Sequence, residues 1–101
     1  MLCIVFCCDR EGSAELRKEL QAAHRSYLND WTDRICFSGP QQDELGNAFV
    51  GSVFILNVAD YQQAVDFIQN EPYNASGVFA SVTIRRLSKG RFNPDLFDTV
   101  K

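Results

Sequence analysis

Apolar residues recur along this chain with two different periods, and the switches between them predict six regular elements. Leu2 to Cys8 is a continuous apolar run, short enough for a strand and apolar on both faces. Asp9 to Gly12 interrupt it. From Ser13 to Trp31 the period lengthens: Leu16, Leu20, Tyr27, Leu28 and Trp31 recur at three- and four-residue steps. That pattern predicts an amphipathic helix with Ser13 as N-cap and Glu15 favourably placed in the first turn. Arg34 to Phe37 reads as a short strand ended by Ser38-Gly39-Pro40, and the polar stretch Gln41 to Asn47 as a turn or loop.

Ala48 to Val58 is the longest strand candidate, with Phe49, Val53 and Ile55 on one face and Val50, Phe54, Leu56 and Val58 on the other. Asp60, with Gln63 three residues on, predicts a capped start to a second helix whose stripe is Tyr61, Ala64, Val65 and Ile68. Asn70-Glu71-Pro72 ends it, because proline pushes the residue before it out of helical geometry. Tyr73 to Gly77 reads as a connector. Val78 to Leu87 is the last strand, with Val78, Ala80, Val82 and Ile84 on one face.

The order β-α-β-β-α-β is the split arrangement of ferredoxin-like domains: an α+β fold with a four-stranded antiparallel sheet. At 101 residues the chain supports one core, so residues 1–88 form the domain. Residues 89–101 form a tail whose Leu96, Phe97 and Val100 predict docking on its own or a partner subunit. Two helices cover only one face of such a sheet, yet the first and third strands are apolar on both. A homodimer packed through the open face, built as a dimeric α+β barrel, resolves this.

A hydrophobic content of 46% with 23% charged residues is globular and too polar for a membrane-spanning chain. The net charge of -3 argues against nucleic-acid binding, and the one basic cluster, Arg85, Arg86, Lys89 and Arg91, has no interleaved aromatic ladder. Cys3, Cys7, Cys8 and Cys36 show no C-x-x-C spacing, and adjacent Cys7 and Cys8 point to opposite faces of a strand, so no metal site is expected. The chain opens on a strand-like run with no basic n-region, which predicts a cytoplasmic protein with reduced thiols.

His24, the only histidine, falls on the apolar stripe of the first helix, one turn after Leu20 and one before Leu28. An imidazole there is either a satisfied core histidine or an acid–base group, since it alone among side chains ordinarily titrates near neutral pH. Cys36, in a short strand with no basic neighbour, is the weaker candidate nucleophile.

Taken together, His24 followed by Tyr27-Leu28, Ser38-Gly39-Pro40, and Glu71-Pro72-Tyr73 with Ala75 and Gly77 resemble the YciI family, also called the YCII-related domain. The resemblance implies a dimeric α+β barrel shared with muconolactone isomerases and cofactor-free monooxygenases, and a pocket holding a histidine–carboxylate dyad. Carried over, the dyad is His24 and Glu71. Two positions depart from the family's pattern: Glu71 stands where Asp is usual, and Gln21 stands where an arginine commonly precedes the histidine by three residues. Arg17, one turn further back, is the cation that could substitute.

Such a dyad would fix the imidazole tautomer with one ring nitrogen and leave the other to take or give a proton. Ser38 and Tyr73 would offer hydroxyls to a developing oxyanion. The expected function is a cofactor-free lyase, isomerase or hydrolase acting on a small carbonyl compound or unsaturated acid. The alternative is a non-catalytic dimeric module that binds a small ligand or a protein partner through the same pocket. Residue by residue, the plainer readings are Glu71 as a solvated helix-end charge, Tyr73 as a packing residue with a polar tip and Ser38 as a turn residue.

Overall fold

β1 (Leu2–Asp9), α1 (Ala14–Asn29), β2 (Ile35–Gln42), β3 (Phe49–Asn57), α2 (Tyr61–Asn70), α3 (Pro72–Ala75) and β4 (Phe79–Leu87) follow one another in a computed structural model of residues 1–101. A 3₁₀ turn at Pro94–Thr99 follows them. The strands pair antiparallel in the order β2-β3-β1-β4, the ferredoxin-like arrangement that the βαββαβ sequence predicts.

One face of the sheet carries the core. Cys3, Val5 and Cys7 of β1 lie beside Ser52, Phe54 and Leu56 of β3 and beside Val82 and Ile84 of β4. α2 adds Ala64, Phe67 and Ile68 to this layer. Phe67 is its centre: its ring meets Phe54 edge-on at 5.0 Å and Trp31 edge-on at 4.9 Å. Its carbonyl also accepts a 2.7 Å hydrogen bond from the Tyr27 hydroxyl. Burial pushes the Tyr27 phenol above its ordinary pKa, so the donor keeps its proton.

Several sequence expectations are corrected. β2 is not ended by Ser38-Gly39-Pro40 but runs through them to Gln42. It is an edge strand, where a proline lacking its N–H removes no bond from a second neighbour. Ser13 holds the N-cap position, but its side chain makes no capping bond. The α2 stripe is Ala64, Phe67 and Ile68, with Tyr61 exposed. The connector after Glu71 contains a full turn of helix, α3. Bulges displace two residues from their predicted faces: Ala80 is exposed because the β1–β4 register shifts beside it, and a shift between Gln41 and Gln42 turns Phe49 toward the helix side. The Asp60 cap is as expected, with the Gln63 amide donating to Asp60 Oδ1 at 2.8 Å and Ala59 donating back to Gln63 Oε1 at 2.9 Å.

The other face of the sheet bears no helix. Leu2, Ile4 and Phe6 of β1 lie there with Val53 and Ile55 of β3, and Phe6 is 42% exposed. The tail reaches this face at its β2 edge, where Phe97 stacks on Phe37 at 5.1 Å. Near the same edge the Gln41 side chain crosses Gly51, its Nε2 donating to the carbonyls of Cys7 at 3.1 Å and Ser52 at 2.8 Å. A Cβ on Gly51 would lie 2.2 Å from the Cys7 carbonyl oxygen and 3.0 Å from Gln41 Nε2. Because backbone must move to admit it, Gly51→Ala is expected to cost about 1–3 kcal/mol, read as a lowered urea midpoint.

Candidate active site

The site begins where α2 ends. Pro72 forces Glu71 into an extended conformation (φ -67, ψ 127), so the helix stops and the Glu71 side chain turns inward. Its carboxylate then caps α3, Oε2 accepting from the Asn74 amide at 3.2 Å. The other oxygen, Oε1, accepts a hydrogen bond from His24 Nδ1. Glu71 is fully buried, so it is no solvated helix-end charge. A buried carboxylate persists only when its lone pairs are occupied, and here two donors occupy them.

His24 is held on more than one side. The Tyr73 ring stacks on the imidazole at 4.0 Å and 13°, and Phe54 stands 6.4 Å away. Across Tyr73 lies the Arg17 guanidinium, 4.9 Å from the ring centre. Arg17 and His24 are seven residues apart, two turns of α1, and the Tyr73 ring is in contact with both.

Arg17 is buried, and one edge of its guanidinium is committed. Nε and Nη2 form a fork on Asp9 at 2.6 and 2.9 Å, and Nη2 also donates to the Gly51 carbonyl at 2.8 Å and to Ser52 Oγ at 2.9 Å. Nη1 makes no bond within the chain and is not sealed from solvent. The same holds for His24 Nε2 and Ser38 Oγ, while the Tyr73 hydroxyl lies beside the Arg17 guanidinium. All four residues line one cavity of about 830 Å³ between α1 and the edge strand β2. Ser38 and Pro40 face it because β2 pairs Ser38 with Phe54 and Pro40 with Ser52, on the helix side of the sheet.

Thus the structure brings His24, Glu71, Ser38, Tyr73 and Arg17 together; Glu71 alone sits behind the wall, reaching the cavity through His24. Sequence reading missed Asp9 as the partner that fixes Arg17, and missed Phe49, Ser52 and Phe54 as cavity lining. Asp9 ends an apolar strand, and an acid there facing an arginine on the next helix was the available signal for the first.

Burial pushes the Tyr73 phenol above its usual pKa, with Arg17 pulling the other way, so the group remains a proton donor at neutral pH. Cys7, beneath the site, is pushed up to about 12, first by burial and then by the Glu71 charge. Its thiol is therefore protonated in the folded chain where an unfolded one has ionised. The contribution of Cys7 to folding stability should be constant below pH 9 and fall by up to about 1.4 kcal/mol per pH unit between pH 9 and about 12. Urea melts of the protein and of Cys7→Val at several alkaline pH values test this, the variant losing the part of the slope that begins near pH 9, while the raised Tyr27 and Tyr73 phenols keep theirs at higher pH.

No group of three or more His, Cys, Asp or Glu side chains is placed to hold a metal ion, and no helix is long and apolar enough to cross a membrane.

Comparison with known proteins adds four findings. Among solved structures, 5-chloro-2-hydroxyhydroquinone dehydrochlorinase (TftG) from Burkholderia phenoliruptrix AC1100, in complex with 2,5-dihydroxybenzoquinone, is similar with a TM-score of 0.82 and 28% identity. The match covers 89% of this chain and 96% of that one. At3g17210 from Arabidopsis thaliana matches over 91% of this chain and 97% of its own, with a TM-score of 0.46 and 10% identity. No curated protein matches the sequence. Residues 1–88 match the YCII-related domain, and with that stretch spanning the whole sheet and all three helices, the chain belongs to the YCII-related family.

Proposed function

We propose that this protein is a cofactor-free acid–base enzyme in which His24 moves a proton to or from a small conjugated carbonyl compound or unsaturated acid. The supporting observation is the pairing of His24 Nδ1 with the buried Glu71 carboxylate, beside a cavity onto which Nε2 opens unbonded. With Nδ1–H donated to Glu71, the neutral ring carries its lone pair on Nε2, where a general base needs it. Ser38 and Tyr73 offer hydroxyls to the oxygen on which negative charge develops, and Tyr73 holds its proton through the neutral range.

The similarity to a dehydrochlorinase, an enzyme that removes HCl, supports elimination as the reaction type. Elimination needs a base at an O–H or C–H and a path for charge through a conjugated skeleton to the leaving group. His24 supplies the first, and the substrate supplies the second. The working unit is a homodimer joined through the helix-free sheet face, whose Ile4, Phe6 and Ile55 need cover, and the four free cysteines fit a reducing cytoplasm.

Proton NMR in D₂O tests the chemistry whatever the leaving group. Incubation with a panel of conjugated acids and hydroxyquinols, 5-chloro-2-hydroxyhydroquinone among them, should give protein-dependent deuterium incorporation or chloride release from at least one. Binding throughout the panel with neither outcome would leave the non-catalytic ligand-binding module as the function.

A further inference from the structure

The charged residues are distributed unevenly over this chain. It carries 13 Asp and Glu against 10 Lys and Arg, yet the sixteen residues lining the main cavity include Arg17, Lys18 and Arg25 and no acid. An acidic protein has gathered cations around one hole. The helical period explains how. Lys18, Gln21 and Arg25 fall at three- and four-residue steps along α1, one stripe outside the Arg17–His24 stripe, so they form the rim while Arg17 and His24 form the inner wall.

The cations differ in how far they are already neutralised. Arg17 is forked onto Asp9. Lys18 approaches Glu15 at 3.6 Å, but both side chains are about four-fifths exposed (77% and 82%), where such a pair contributes little. Arg25 makes no ion pair and no side-chain hydrogen bond within the chain. The rim therefore holds one cation, Arg25, that no acid of the chain pairs, and a second, Lys18, only loosely paired, at the entrance to a cavity walled by Pro40, Phe49, Phe54 and Tyr73. Apolar walls beside such a rim concentrate the field and favour an anionic group at the mouth with an apolar, flat body inside.

We infer that the substrate is a small conjugated carboxylic acid, its carboxylate held at the rim by Arg25 and Lys18 while the conjugated body lies against the aromatic wall near His24. This rests on the acid–base reading for what happens next, but the charge preference is a property of binding and is measured separately. The anion is fixed at neutral pH, so neutral hydroquinones lacking a carboxylate bind less well to this chain. Gln21, between the two cations, offers its amide to the same group.

The test compares trans-cinnamate with its neutral isostere cinnamamide, by calorimetry and by chemical-shift changes in ¹⁵N-labelled protein. Cinnamate is expected to bind about ten-fold more tightly at low ionic strength, a gap that two partly exposed cations can supply. The gap should shrink several-fold between about 20 mM and about 500 mM NaCl, as screened charges require. In Lys18→Gln/Arg25→Gln it should vanish; both side chains lie at the surface, so the fold persists, and an unchanged His24–Glu71 proton resonance confirms it. Equal affinity for the two probes in the unaltered protein overturns the inference, as does a gap that survives the double substitution. Deuterium exchange restricted to neutral members of the panel overturns it too, while leaving the acid–base reading standing. A charge-dependent cinnamate site with neither exchange nor chloride release on any member of the panel, acid or neutral, upholds the anion preference and overturns the acid–base reading.

Discussion

His24→Gln should lower proton exchange or elimination by about 10²–10⁴-fold, the usual contribution of a positioned general acid–base. Glutamine suits this test because its side-chain amide can still donate to the Glu71 carboxylate, so the buried charge keeps a partner. Ligand affinity should change far less than the rate, because the rim and the aromatic wall are intact. His24→Ala is the necessary companion. It loses the donor to Glu71 as well, and the carboxylate left with only the Asn74 amide makes the fold itself less stable by about 1–3 kcal/mol. A His24→Gln protein that turns over at the original rate, with the original affinity, removes the imidazole from the chemistry. Rates measured alongside thermal melts separate the two effects.

The largest stability effect is expected at Arg17. Arg17→Met strips Asp9 of its fork and leaves a carboxylate with 6% side-chain exposure facing no cation. Removing one partner of a buried pair typically costs about 3–5 kcal/mol, a large share of the roughly 5–15 kcal/mol available to a domain of this size. The melting temperature should drop by about 12 °C or more. Asp9→Leu in the Arg17→Met background should recover much of the loss, since an apolar pair removes the stranded charge instead of opposing it. Urea denaturation of the two single variants and the double variant gives the coupling directly. Additive losses would mean that the pair does not act as a unit.

How far the sequence foretold this molecule depends on whether a signal was local. The strand and helix order was legible because the period of the apolar residues changes at each boundary, and the Asp60–Gln63 cap because its two bonds span four residues. The end of α2 was legible because proline acts on its immediate neighbour. The length of β2 was not. Gly39 and Pro40 read as a turn until the sheet order places them on an edge, and edge position is a tertiary fact. The faces of Phe49 and Ala80 were misread because a bulge breaks the period of two without leaving a composition signal.

The site divides in the same way. His24, Glu71, Ser38, Tyr73 and Arg17 were all named from short motifs and family likeness, and all five adjoin one cavity or its wall. The stacking of Tyr73 against both Arg17 and His24 could not be read from the chain, because it depends on α3 packing against α1. The Asp9–Arg17 fork joins positions only eight residues apart, but it spans a strand end and a helix, so no single period reveals it.

Glu71 closes one helix, opens the next and holds the imidazole, all through a single side chain and its backbone. Those three duties cannot be uncoupled. An opening of the corner between α2 and α3 that draws Glu71 away should expose the Asn74 amide to exchange with solvent and, in the same event, take the carboxylate from His24 Nδ1. The hydrogen-exchange protection of the Asn74 amide is therefore expected to track how much of the time Glu71 holds the His24 ring in place.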